Sequence, residues 1–248
     1  MEQSTRFKTH HNIALVPALQ YYLLPLFIFW LIAACLLFNM GYQGSFLFLN
    51  EHYQSWLDIP MLYITYLGDS LIISCIITLL IWYKSKPAVI TMIAAVIISG
   101  IFIQLCKHIF FAGWNRPPLV FEHIQSIHTV ADYRLYYFSF PSGHSATIAS
   151  VFTVLAFEWR QKTRFVVLAF LLTILISYTR VYTGVHFLGD VLASSIIGTV
   201  VALFCIHYFY KKLVSYFEAA AQKIIKIWNF ALYILAFSGL LFSFGHFI

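Results

Sequence analysis

His186 and Asp190 are the pair whose types and spacing most directly invite chemistry. Four positions apart on a helix, they would share one face. A carboxylate there can accept the Nδ1–H of the imidazole, leaving Nε2 unprotonated and aimed outward, as a nucleophile or base requires. A polar pair that merely satisfies itself between helices has the same spacing, so its meaning depends on the neighbours. Pro141-Ser142-Gly143-His144 stands where a loop enters a helix. Exposed N–H groups at a helix start bind anions, and glycine permits close backbone approach. Ser142 adds a hydroxyl and His144 a titratable proton; a serine-capped turn is the plainer alternative. Lys107, Arg116 and Arg180 add three cations without matching acids. Such a set points to a polyanion, and phosphate fits best because guanidinium matches its oxygens bidentately. Snorkelling to lipid headgroups accounts for Lys107 but poorly for Arg180.

The clusters also fall in a telling order. The 35 residues from Ser145 to Thr179 suffice for one membrane crossing and a return, which brings His144 and Arg180 to the same face. Lys107…Arg116-Pro117, then Pro141-Ser142-Gly143-His144, then Thr179-Arg180-(five residues)-His186-(three residues)-Asp190 resembles the type 2 phosphatidic acid phosphatase superfamily. The resemblance covers Lys107–Asp190. It departs from the family pattern in two places: eight residues rather than six separate Lys107 from Arg116, and Thr179 stands where serine is usual. The resemblance implies that His186 attacks phosphorus to give a phosphohistidine, that Asp190 orients it, and that His144 protonates the leaving oxygen and then activates water. It further implies that Lys107, Arg116, Ser142, Gly143 and Arg180 hold the phosphoryl oxygens, with no metal or other cofactor and with vanadate as an inhibitor. Asp69, Pro117 and Pro141 are expected at the site's periphery, with a buried structural role for Asp69 equally open.

The elements that must position these residues are apolar helices. Of 248 residues, 61% are hydrophobic and 10% charged, which excludes an ordinary soluble domain and a disordered chain. A bilayer crossing takes about 20 apolar residues. Seven candidate spans follow, at about Tyr21–Met40, Met61–Tyr83 (interrupted by Asp69), Ala88–Cys106, Ser142–Phe157, Phe165–Thr183, His186–Phe209 and Ile227–Ile248. Residues 213–226 read as an amphipathic interfacial helix. The expectation is one all-α, polytopic membrane domain over residues 1–248. The resemblance supplies a six-helix core, to which the C-terminal hydrophobic helix at about 227–248 is an addition. Cys35, Cys75, Cys106 and Cys205 sit in or at the ends of apolar runs without CxxC or CxxH spacing, so neither disulfides nor zinc are expected.

With the N-terminus cytoplasmic, 11 of the 15 Lys and Arg residues fall inside: Arg6, Lys8, Lys84, Lys86, Arg160, Lys162, Arg164, Lys211, Lys212, Lys223 and Lys226. Lys107, Arg116, Arg134 and Arg180 remain outside, with the phosphate cluster. Asp132 and Arg134 could pair; His108, His123 and His128 define no metal site and read as loop or interface residues. Tyr133, Tyr136, Tyr137 and Phe138 read as an aromatic belt. A lipoprotein-like box at Ile32-Ala33-Ala34-Cys35 is set aside because the apolar run continues past it.

The leading reading is an inner-membrane lipid phosphatase with its site on the periplasmic side. Undecaprenyl diphosphate and lipid A lead as substrates, with phosphatidylglycerophosphate and phosphatidic acid behind them. Lipid-to-lipid phosphotransfer at the same site is the alternative. A transporter using His and Asp as a proton relay is more distant, because the ionisable residues cluster at one face. A serine protease does not need three cations. A soluble haloperoxidase does not fit seven spans. Membrane lipids are the expected surroundings, nucleic acid is not a partner, and no protein partner is indicated.

Overall fold

In lipid, each backbone N–H and C=O of an apolar run must be satisfied within the segment, and a helix does this locally. The computed structural model, which describes residues 19–130 and 135–245, is accordingly helical. Arg6, Lys8, Asp132, Tyr133, Arg134 and the last three residues of the expected C-terminal span lie outside the described residues. Helix α1 (Leu24–Asn50) is entered through a π-turn at Leu19–Leu23 and is broken at Gly41, whose φ is +71°. Then come α2 (Asp58–Tyr66), α3 (Ser70–Ile81) and α4 (Lys86–Leu105), which runs on through a π-turn at Cys106–Phe110. After a short α5 (Pro117–Val120) come α6 (Gly143–Glu158), α7 (Thr163–Tyr182) and α8 (Leu188–Cys205). A π-turn at Ile206–Tyr210 leads into α9 (Lys211–Ala219), and α10 (Gln222–Gly245) follows.

Among the described residues, five helical stretches are long and apolar enough to cross a membrane, and α2 with α3 makes a sixth if that bent pair is one span. Helix α6 has 16 residues and sits inside the bundle, with every residue from Ser145 to Ala156 buried. Its small residues allow close approach. A Cβ on Gly198 of α8 would lie 2.2 Å from the Ala146 carbonyl oxygen. Ser150 Oγ donates to the Gly198 carbonyl (3.1 Å) and lies 3.1 Å from Ser99 Oγ of α4. Tyr22, Thr153 and Thr173 form a similar polar link, and Trp30 Nε1 donates to Ser195 Oγ at 2.9 Å. Large apolar side chains such as Phe38, Ile101 and Phe230 face outward instead.

Several boundaries differ from expectation. The second span is two helices bent by 71°, because Asp69 stops one and opens the other. Its Oδ1 accepts the amides of Leu71 (2.9 Å) and Ile72 (3.0 Å). The first helix runs past Met40 to Asn50, since Gly41 breaks it without ending it. The stretch 213–226 is not one interfacial helix: α9 ends at Ala219, Ala220 is extended, and Lys223 and Lys226 belong to α10. The connector from Lys107 to Pro141 contains a π-turn and α5.

Helix α10 packs along α3. Trp82 Nε1 donates to Asn229 Oδ1 (2.8 Å), and a Cβ on Gly239 would come within 2.8 Å of Cys75 Sγ. The α3–α4 and α6–α7 turns with the first residues of α4 and α7, and the starts of α9 and α10, carry the nine described basic residues assigned above to one side. The starts of α3, α6 and α8 face the opposite end, where the chemistry-bearing residues gather.

Candidate active site

The chain reverses between α7 and α8 in five residues. Gly184, at φ +75°, makes the turn, and a Cβ there would sit 2.5 Å from the His128 carbonyl oxygen. The Arg180 carbonyl accepts the amides of Val185 (3.1 Å) and His186 (3.0 Å), so the turn is closed on the cation-bearing residue itself. His186 lies in this turn, not on α8 as expected, and Asp190 is the third residue of α8. Their contact comes from helix capping rather than from a shared helix face. Asp190 Oδ2 accepts the Phe187 amide and lies 3.0 Å from His186 Nδ1. Both side chains are buried, with His186 2% exposed. Burial, reinforced by the Arg116, Arg180 and Lys107 charges and by His144, holds the His186 imidazole well below its usual pKa. It is therefore neutral near pH 7, and with Nδ1 facing Asp190 the proton belongs there, which leaves Nε2 as the acceptor.

Arg116 and Lys107 converge on backbone acceptors contributed by residues 136–139. Arg116 donates its amide to the Tyr136 carbonyl (2.8 Å), Nε to Tyr137 O (2.8 Å) and Nη2 to Phe138 O (3.4 Å). Its Nη1 lies 3.2 Å from His186 Nε2. Lys107 Nζ donates to Phe138 O and, at 3.4 Å, to Ser139 O. Phe138 holds a left-handed backbone (φ 56°), uncommon for a bulky residue, and its carbonyl serves both cations. The eight-residue Lys107–Arg116 spacing closes because Lys107 sits in a π-turn, with the Phe111 amide bonded to Cys106 O (2.9 Å).

Arg180 Nη1 donates to Thr65 Oγ1 (2.7 Å), and Thr179 keeps its hydroxyl 2.9 Å from the same atom. Ser142 precedes α6 but its hydroxyl does not cap the helix; it lies 3.2 Å from Ser145 Oγ. The Ser142 amide donates to the Asp190 carbonyl (3.4 Å), tying the starts of α6 and α8 together. Gly143 and His144 open onto a groove of about 680 Å³ between the α2–α3 bend and α4. Asp69, Ser70, Gln104 and His108 line its polar part, and Ile97, Ile101 and Ile109 its lipid-facing wall. A smaller cavity of about 50 Å³ joins His144 to Arg180, Asp69, Thr65 and Thr183. Asp69, half-buried rather than buried, caps α3 and lines the groove. A Cβ on Gly68 would press to 2.8 Å from His144 Cδ2, so the bend seats that ring. Pro117 starts α5 directly after Arg116, and Pro141, buried, leads into Ser142.

Sequence reasoning missed the residues that hold these groups. Ser139 Oγ donates to Asp190 Oδ2 (2.5 Å), and the Tyr42 hydroxyl donates to Asp190 Oδ1. Asn50 donates to the carbonyls of His128 and Val181 (both 3.0 Å) and accepts the His128 amide (2.9 Å), clamping the end of α7 to the connector. His128 is an interface residue: it stacks on Tyr53 and lies 3.0 Å from Asp58 Oδ1. His108 packs against Phe138, and His123 stands beside Glu122 on the surface. Backbone carbonyls leave no mark on a sequence, so Tyr136, Tyr137 and Phe138 read only as aromatics.

Residues 88–214 match the sequence profile of the PAP2 superfamily. A stretch of 69 residues is 39% identical to phosphatidylglycerophosphatase B of Bacillus subtilis (strain 168), covering 25% of this chain and 34% of that protein. The chain thus matches about a third of that curated relative's length. Among solved structures, LpxE of Aquifex aeolicus superposes with a TM-score of 0.61 at 26% identity, over 67% of this chain and 95% of that one. The first transmembrane PAP2-type phosphatidylglycerolphosphate phosphatase from Bacillus subtilis superposes with a TM-score of 0.55 at 25% identity, over 77% and 98%. With just over half its length matched by the profile and its membrane helices shared with these structures, the chain is a multi-pass membrane protein that belongs to the PAP2 superfamily.

Proposed function

We propose that this protein is a lipid phosphatase that releases phosphate through a phosphohistidine on His186. The observation that carries the reading is a buried imidazole held between Asp190 at Nδ1 and Arg116 at Nε2, with Gly143 and His144 lining a lipid-facing groove. The phosphorylated end of a lipid enters the polar part of the groove, with its chains along Ile97, Ile101 and Ile109. The Arg116 guanidinium passes from Nε2 to a phosphoryl oxygen, which frees the lone pair for attack. The Nε2–P bond forms as the bond from phosphorus to the lipid oxygen breaks, and His144, which takes up a proton when the phosphate's negative charge enters, gives that oxygen its proton. Water then attacks phosphorus, His144 takes the proton, and the N–P bond breaks to release inorganic phosphate. Lys107, Arg116, Arg180, Ser142 and the Gly143 amide face the phosphoryl oxygens and supply the charge stabilisation that a metal ion gives elsewhere. The site faces the outer side, opposite the basic turns, in the inner membrane.

Undecaprenyl diphosphate and lipid A remain the substrate proposals from sequence. Phosphatidylglycerophosphate joins them through the names of the Bacillus subtilis relatives. The test is phosphate release in detergent and EDTA from these three lipids and phosphatidic acid, with His186→Ala alongside. Release from one lipid, inhibited by vanadate and lost in the variant, supports the reading and identifies the substrate. Transfer to a second lipid without free phosphate would replace hydrolysis by phosphotransfer. Equal release by the variant would overturn the role of His186.

A further inference from the structure

We infer that Tyr42 is a positioning residue for the reaction, acting through Asp190 from outside the stretch that matches the family profile. The inference rests on the phosphohistidine reading above. Asp190 Oδ2 is shared by His186 Nδ1, the Phe187 amide and Ser139 Oγ, whereas Oδ1 receives the Tyr42 hydroxyl. Rotation of the carboxylate about its Cβ–Cγ bond would carry both oxygens off their donors. The Tyr42 donor on the second oxygen adds to the three on Oδ2 in resisting that rotation, and so helps hold the plane in which the imidazole is oriented. Tyr42 belongs to α1, whereas the profile match begins at residue 88.

Local structure is arranged around this one ring. Gly41, with φ +71° and ψ 179°, breaks α1 immediately before Tyr42, a conformation that side chains rarely adopt. Gly189, adjacent to Asp190, leaves the space the ring occupies: a Cβ there would lie 2.2 Å from Tyr42 Cε2. Trp114 meets the ring edge-on at 5.7 Å and Phe187 packs at 4.9 Å. Both neighbours are tied to the site, Trp114 through its carbonyl to the Ser139 amide (2.9 Å) and Phe187 through its own amide to Asp190. Further back along α1, Trp30 bonds Ser195 and holds the helix on α8. Two glycines and two aromatic rings thus direct one hydroxyl to the carboxylate that orients His186.

Tyr42→Phe removes only that hydroxyl and keeps the ring packing. On whichever lipid the wild type hydrolyses, kcat should fall about tenfold or more, with KM within about twofold and thermal unfolding in detergent little changed. The decisive readout is a double-mutant cycle with Asp190→Asn. A residue that acts through Asp190 loses its effect when the carboxylate is gone, so Tyr42→Phe should change residual activity less than about twofold in that background. Unchanged kcat in Tyr42→Phe, a rise confined to KM, or the same fold-loss in both backgrounds would overturn the inference. If His186→Ala keeps full activity, the phosphohistidine reading fails instead, and the two failures are separable.

Discussion

Gly143 shows how one missing side chain can serve chemistry. A Cβ there would meet no protein atom within 4 Å, so packing does not demand glycine. The space belongs to the groove beside His144 and the start of α6. Gly143→Ala should therefore leave folding intact or raise stability by about 0.4–1 kcal/mol through the unfolded chain. The same methyl should lower kcat/KM about tenfold or more by holding phosphate away from the α6 amides. Thermal unfolding and steady-state kinetics on one preparation separate the two effects; a loss of both in proportion would make Gly143 a packing residue. Ser142, Arg180, His186 and Asp190 were legible in the sequence because their chemistry resides in their side chains. Tyr42, Ser139 and the Phe138 carbonyl were not, because their roles follow from what faces them.

Helices α6 and α8 form the element that fixes the site. Both begin at the same end, one delivering Gly143 and His144 and the other Asp190, and the Ser142 amide bonds the Asp190 carbonyl across them. Their spacing is set where Gly198 lies on the Ala146 backbone. A methyl at 2.2 Å from a carbonyl oxygen forces the helices apart, so Gly198→Ala should cost about 1–3 kcal/mol. Phosphate release should fall further than stability, because the displacement lies between His144 and His186. Full activity in a stable Gly198→Ala protein would contradict this. Hydropathy revealed these helices but not their ends. Asp69 reads as an interruption in an apolar run, and only the structure shows it capping a helix bent by 71°. His186 reads as a helix residue through its spacing to Asp190, because a capping turn can bring the same two side chains together.

At the scale of the whole molecule, charge divides the bundle. Lys84, Lys86, Arg160, Lys162, Arg164, Lys211, Lys212, Lys223 and Lys226 gather at the end remote from Lys107, Arg116 and Arg180. With the basic end inside, as the positive-inside rule expects, our proposal puts the groove mouth on the outer face. A cysteine introduced at Gln161 should react with a membrane-impermeant maleimide only in inside-out vesicles, and one at Gln125 only in right-side-out vesicles; the reverse pattern would invert the topology. The C-terminal helix α10 lies beyond the matched residues and packs on α3, whose first turn lines the groove. Composition announced this helix, but its neighbour followed only from contacts such as Trp82 with Asn229.

The most direct measurement is chemical trapping of the intermediate. The protein is mixed with its lipid carrying a labelled phosphate and quenched in alkali within the first turnovers. Label should remain on the protein through alkali and be released by mild acid, as a phosphoramidate requires. It should vanish in His186→Ala, and in His144→Ala it should form more slowly and persist longer, because the first step lacks its acid and the second its base. Turnover without trapped label, or label retained in His186→Ala, would contradict a covalent histidine mechanism.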